Sequence, residues 1–208
     1  MRGRFITLEG GEGVGKSTQA RALADALRER GLTVLLTREP GGSSGAEAIR
    51  NLLLAGEADR WTLPAEALLF AAARADHVAR TIHPALASGA WVICDRYVDS
   101  SRAYQGATGV LDDADIMALH RIGSQGLLPD RTLLLSIAAE ESARRAALRD
   151  GGVADRIGGR EASFHAGVAR IFAQIAAQEP ERVRPVDASG AARAVTGRLI
   201  EALADLLP

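Results

Sequence analysis

The chain has 208 residues, 47% of them hydrophobic, a formal net charge of −1 at pH 7 and a mean hydropathy of +0.02. That length suits one domain with small insertions and a sizeable core, and the near-neutral charge argues against a protein that coats nucleic acid or anionic membrane. A lone cysteine excludes an internal disulfide framework and permits a reducing cytoplasm; no signal peptide follows the basic start MRGR, and no apolar run is long enough to span a bilayer.

Phe5, Ile6, Thr7 and Leu8 read as a short buried strand. Gly10, Gly11, Glu12, Gly13, Val14, Gly15, Lys16 and Ser17, followed by Thr18, then fit the phosphate-binding spacing G-x-x-x-x-G-K-[ST]. Backbone N–H groups of such a turn surround phosphate oxygens, and the next helix aims its positive N-terminal end at the same anion. Lys16 is placed to reach β- and γ-phosphates and the Ser17 hydroxyl to help hold magnesium, so a polyphosphate ligand and Mg²⁺ are expected. Lys16 is also the only lysine in the chain, every other basic side chain apart from histidine being arginine. A compact ammonium suits a phosphate cradle that a planar guanidinium fits poorly.

Over 16–30 Ala20, Leu23, Ala24 and Leu27 repeat at helical spacing, and Gly31 ends the helix. Residues 33–36 predict a parallel strand buried on both faces. Arg38-Glu39-Pro40-Gly41-Gly42 lies at its C-terminal end, the edge where ligands of open α/β sheets bind; Arg38 is either a surface charge or part of a phosphate site. A helix over 45–54 carries Ile49, Leu52 and Leu53 on one face, with Arg50 beside them. A longer helix runs from Thr62 or Leu63 to Arg80, Pro64 lying in its first turn. Phe70 and Arg74 share a face there; they read as a core ring with an arginine at the rim, or as a ring that stacks on a base whose edge Arg74 bonds.

Residues 91–94 form a third apolar strand ending in Asp95-Arg96-Tyr97. An acid at a strand tip in a phosphate-loop protein is the usual magnesium-side carboxylate, the alternative being a simple Asp95–Arg96 pair. Residues 100–106, with Ser101, Tyr104 and Gln105, suit a sugar and base or an ordinary helix surface. Asp112 caps a helix through Gln125 whose Ile116, Leu119 and Ile122 repeat at helical spacing. Residues 132–137 are a fourth strand. The arginine-rich helix over 140–150 contains Arg144, Arg145 and Arg149; glycine pairs follow around Asp155 and Arg156, with Arg160 beyond. These features describe a hinged cationic lid over about 149–160, or a solvated charged surface. Ser163 caps a helix with Phe164, Val168, Ile171 and Ile175 inward, 183–186 is the last strand, and 191–207 a closing helix. His77, His83, His120 and His165 show no zinc spacing. Five strands alternating with helices predict a three-layer α/β fold of the P-loop NTPase kind, a five-stranded parallel sheet flanked by helices, within a single domain over 1–208.

Taken together, FITLEGGEGVGKST at 5–18, TREPGG at 37–42, LLFAAAR at 68–74, DRYVDSSRAYQG at 95–106 and DRI at 155–157 resemble the thymidylate kinase family over essentially the full length. The resemblance implies phosphoryl transfer from ATP to dTMP by a cytoplasmic homodimer. It implies that Phe70 stacks on thymine, that Arg74 and Gln105 contact its edge with Ser101 nearby, and that Arg38, Arg50 and Arg96 surround the acceptor phosphate and transferred group. Tyr104 would crowd the 2′ position, Glu12 would bind the acceptor 3′-hydroxyl, and a cis bond would precede Pro40. A carboxylate at Glu12 repels polyphosphate unless it points away from it. Some members carry an arginine just after that acid; Gly13 stands here, so the lid arginines Arg149, Arg156 and Arg160 are the candidates to supply the missing cation. A kinase for another nucleoside monophosphate is the nearest rival. A GTPase switch lacks support, because the lone asparagine, Asn51, precedes Leu52 rather than completing N-K-x-D.

Overall fold

The computed structural model describes residues 3–57, 59–150 and 156–208, the side chains of 149 and 150 excepted. A five-stranded parallel sheet runs in the order β2-β3-β1-β4-β5. Its strands are β1 (Phe5–Glu9), β2 (Val34–Arg38), β3 (Trp91–Asp95), β4 (Arg131–Ser136) and β5 (Val183–Asp187). The helices are α1 (Lys16–Glu29), α2 (Ser44–Leu54), α3 (Leu63–His77), α4 (His83–Ala87), α5 (Val98–Gly106), α6 (Asp113–Ser124), α7 (Ala139–Asp150), α8 (Ala162–Gln178) and α9 (Ala192–Glu201).

Alternation along the strands builds the layers. Ile6 and Leu8 of β1 join Leu23 and Leu27 of α1 and Leu199 of α9 on one face. Phe5, with Val92 and Cys94, packs under Val78, Ile82 and Tyr97 on the other. A further cluster sets Val168, Phe172 and Ile175 of α8 against Tyr104 and Leu134.

Strand order places the chemistry. The chain leaves β1 for the sheet edge at β2, returns to β3 beside β1, then crosses to β4, so β1 and β3 flank a topological switch point. The parallel register pairs Leu8 with Asp95 and Arg38 with Asp95, bringing three strand ends level.

Several expectations are corrected. β2 is the edge strand and only half-buried, so its apolar run does not mean cover on both faces. Leu52 and Ile122 face outward, Ile122 being 83% exposed. The long helix does not run unbroken to Arg80: at Val78–Ile82 it widens, His83 N–H bonding Val78 O, just before Pro84, which has no N–H to give the turn before it. Glu161, not Ser163, precedes α8, and α9 ends at Glu201. Asp112 does cap α6, through a reciprocal capping box with Asp115. The Glu39–Pro40 bond is cis.

Candidate active site

The phosphate loop turns on glycines with positive φ, Gly10 (136°), Gly13 (73°) and Gly15 (93°). A Cβ on Gly10 would run into the Leu135 carbonyl, and one on Gly13 into the Ser142 carbonyl of α7. Ser142 Oγ also donates to Glu12 O, so α7 is docked on the loop. Any side chain at position 13 would meet the α7 backbone.

Lys16 is the first residue of α1 and is buried; its Nζ donates to Gly10 O (3.1 Å) and Gly11 O (2.6 Å). Burial, then the nearby Arg96 charge, lowers its pKa to about 8, against the pull of Glu12, Asp95 and Glu9. Ser17 Oγ donates to Asp95 Oδ2 at 2.5 Å, while Asp95 Oδ1 is buried without a partner among the described residues. Among the described residues no group of three or more His, Cys, Asp or Glu side chains is poised to hold a metal ion.

Arg96, at φ 69°, sits in the left-handed region that side chains seldom adopt. Its guanidinium donates to Gly10 O (3.2 Å), Ser100 Oγ (3.1 Å), Tyr104 Oη (3.1 Å) and Glu12 Oε1 (2.5 Å). Tyr104 Oη in turn donates to Glu12 (3.0 Å). Burial pushes the Tyr104 phenol up, which keeps that proton available. Burial also opposes the Arg96 charge, but Tyr104, Glu12, Asp95 and Glu9 outweigh it and raise its pKa. The Glu12 carboxylate is thus neutralised beside the loop rather than left to repel a polyphosphate.

One cleft of about 810 Å³ is lined by the loop from Glu12 to Thr18, by Arg38 and Arg50, by Phe70 and Arg74, by Asp95 and Arg96, and by Ser101, Tyr104 and Gln105. Gly10 and Gly11 lie behind it as acceptors for Lys16. Arg38 is half-exposed and its Nη2 donates to both carboxylate oxygens of Glu47 (2.9 and 3.1 Å), and Arg50 donates to Pro40 O at 2.6 Å. Arg74 is buried and donates to Glu39 Oε2 (2.8 Å) and Ser101 Oγ (2.7 Å). Gln105 Nε2 donates to Glu66 Oε1 at 3.1 Å.

The lid arginines are distributed differently from expectation. Residues 151–155 and the Arg149 side chain lie outside the described residues. Arg156 is buried and is not among the residues lining the cleft: it donates to Leu53 O (2.9 Å) and to Glu66 Oε2 (2.5 Å). Arg160 joins it on Glu66 Oε2 at 2.8 Å. Arg145 of α7 does line the cleft, held by Glu141 at 2.7 Å.

Three acids escaped the sequence reading. Glu39 orients Arg74 and His77, though it stands inside the quoted REPGG. Glu66 precedes Phe70 and Arg74 at i−4 and i−8, a helical spacing that was available as a signal. Glu9 ends β1 and accepts from Tyr97 N (2.7 Å), Ser100 N (3.2 Å) and Ser100 Oγ (2.6 Å), pinning the start of α5.

The thymidylate kinase family model matches residues 8–198. The chain belongs to the thymidylate kinase family. It is 65% identical over 210 residues to a thymidylate kinase of Rhizorhabdus wittichii, all of both chains being covered. It is 50% identical to one of Bradyrhizobium diazoefficiens, covering 100% of this chain and 92% of the relative. The crystal structure of thymidylate kinase from Ehrlichia chaffeensis superposes with a TM-score of 0.78 at 30% identity, covering 98% of this chain and 100% of that one. The chain therefore transfers the γ-phosphoryl group of ATP to dTMP, giving ADP and dTDP. No helix among the described residues is long and apolar enough to cross a membrane.

Proposed function

We propose that ATP lies on the phosphate loop and dTMP against Phe70 and the end of β2, with direct in-line transfer between them. The observation that carries this reading is a shared cleft: Lys16 and Ser17 line it together with Phe70, Arg74 and Gln105, and the Arg96–Glu12 pair joins the two groups. Lys16 and the backbone N–H groups of the loop hold the β- and γ-phosphates. The Ser17 hydroxyl and Asp95, whose buried Oδ1 has no partner among the described residues, fit a hard cation that keeps most of its waters. Mg²⁺ held by these two residues would supply neutralisation of the nucleotide's phosphate charge.

Arg38, Arg50 and Arg96 take the acceptor phosphate, Glu12 the 3′-hydroxyl, Phe70 the face of the base, and Arg74 and Gln105 its edge, with Ser101 bracing Arg74. Tyr104 crowds the 2′ position. The acceptor phosphate is ionised near neutral pH, so no strong base is needed; positioning and charge do the catalysis. Of the lid arginines, Arg149, with Arg145, is assigned to the transferring group and Arg156 to anchoring the lid on Glu66.

A coupled ADP-release assay over dTMP, dUMP, dCMP, dGMP and UMP tests the assignment. Lys16→Ala abolishes turnover. Gln105→Ala weakens base discrimination far more than ATP binding, and equal losses on both count against it. Asp95→Asn raises the magnesium needed for half-activity by about 10–100-fold.

The working form we propose is one cytoplasmic domain over 1–208 with its lid at 149–160, paired with a second copy. Exposed Leu52, Leu68 and Ile122 lie on α2, α3 and α6, and α3 packs against both the others. Sedimentation of Ile122→Glu, expected to shift toward monomer, tests that pairing.

A further inference from the structure

We propose that Glu66 is a positioning residue that fixes the polarity of the base-reading edge, so that the pocket takes a pyrimidine with a proton on N3 and refuses one without it. The proposal rests on the assignment of Phe70, Arg74 and Gln105 to the base. Glu66 is fully buried on α3, one turn before Phe70. Its Oε2 accepts from Arg156 Nη2 (2.5 Å) and Arg160 Nη2 (2.8 Å), and its Oε1 from Gln105 Nε2 (3.1 Å).

A carboxylate clamped by two guanidinium groups has only acceptors to offer. The amide of Gln105 must therefore turn its NH₂ to Glu66. Because the amide is planar, its Oε1 is left on the side away from Glu66, and Gln105 belongs to the wall of the cleft. No donor among the described residues reaches that oxygen. Arg74 is fixed in the opposite sense. Its Nε is taken by Glu39 and its Nη2 by Ser101 and the Tyr97 carbonyl, so what it has left for a ligand are the two N–H groups of Nη1. The wall thus offers one acceptor oxygen and one donor nitrogen.

Thymine and uracil carry an N3–H donor beside the O4 acceptor and match that pair. Cytosine carries an N3 acceptor beside an N4 amino donor and meets it inverted, donor against donor and acceptor against acceptor. Arginine cannot reverse its polarity; glutamine can, and Glu66 is what prevents it. A neutral amide at position 66 would give its oxygen to the arginines and its NH₂ to Gln105. Gln105 would then flip and present NH₂ to the base.

The test compares kcat/KM for dTMP, dCMP and 3-methyl-dTMP, which lacks the N3 proton. The unaltered enzyme is expected to prefer dTMP over both by about tenfold to a hundredfold or more. Glu66→Gln should shrink the dTMP-to-dCMP ratio by about tenfold or more, through KM for the acceptor, with KM for ATP held. Glu66→Asp should retain the ratio. A merely structural role would lower all acceptors together. If Glu66→Gln is insoluble, the double variant Glu66→Gln with Arg160→Gln, which restores the charge balance, carries the same expectation. Equal use of dTMP and 3-methyl-dTMP by the unaltered enzyme overturns the proposal. So does an unchanged dTMP-to-dCMP ratio in a folded Glu66 variant when Gln105→Ala loses it. An unchanged ratio in Gln105→Ala instead removes the base-site assignment itself, and the proposal with it.

Discussion

Arg96 and Glu12 hold each other across the phosphate loop at 2.5 Å, with the Tyr104 hydroxyl bonded to both. The pair stores a cation beside the cradle and cancels an anion within it. Removing Arg96 therefore has two consequences of different kinds. Arg96→Ala is expected to lower kcat by about 10²–10³-fold, as loss of a preorganised donor does. It should also raise KM for ATP, because the Glu12 carboxylate then loses the guanidinium that neutralises its charge beside the polyphosphate. Adding Glu12→Gln should restore KM for ATP but not kcat. Arg96→Gly, at ease with φ 69°, separates the backbone contribution from that of the side chain. Steady-state kinetics on the variants check all three.

Lys16 titrates near the working range, at about 8 in the free protein. Only the ammonium holds phosphate, so kcat/KM for ATP should fall as pH rises through about 8. Bound phosphates favour the charged form, and the corresponding limb of kcat should lie at higher pH. A kcat/KM profile that stays flat well beyond pH 8 would contradict this.

Glu9 is the buried acid at the end of β1. Burial, and then Asp99, raise its pKa from 4.5 to about 7, against the bonds from Ser100 and Tyr97 and the Arg96 charge. In the window from 4.5 to about 7 the folded state holds a proton that the unfolded chain has released. Stability from this group is full below that window and falls as pH rises through it, on the order of 2–4 kcal/mol in total. Glu9→Gln cannot titrate. Urea unfolding across the window should show a flatter pH dependence in the variant, and parallel curves would refute the assignment.

Gly13 lies under α7 at φ 73°, where a Cβ meets the Ser142 carbonyl and comes within 3.0 Å of Ala146 N. Gly13→Ala should displace α7 and the Arg145 it carries, lowering kcat while leaving KM for dTMP nearly unchanged; backbone strain adds about 1–2 kcal/mol. Gly13→Arg should be no better, although some relatives in the family place arginine there. Full activity in Gly13→Arg would show that α7 yields easily.

The phosphate loop was legible because its chemistry is local: consecutive backbone N–H groups and one lysine need only their own spacing. The sheet was legible from its five apolar runs, but β2 was misjudged because a short apolar run looks alike in the middle of a sheet and at its edge. Phe70 and Arg74 could be paired from helical spacing, whereas Glu39 and Glu66 could not be given roles. Their partners lie 35 residues away at Arg74, and 39, 90 and 94 residues away at Gln105, Arg156 and Arg160.

The order of residues alone determined the phosphate cradle, the alternating architecture and the family to which the chain belongs, since each depends on neighbours along the backbone. Only the folded arrangement decided which charges cancel. It set Arg96 on Glu12, α7 over Gly13, and Arg156 and Arg160 on Glu66 rather than in the cleft. A buried ion must find its counter-ion wherever the packed elements bring one, and spacing along the chain carries no record of that distance.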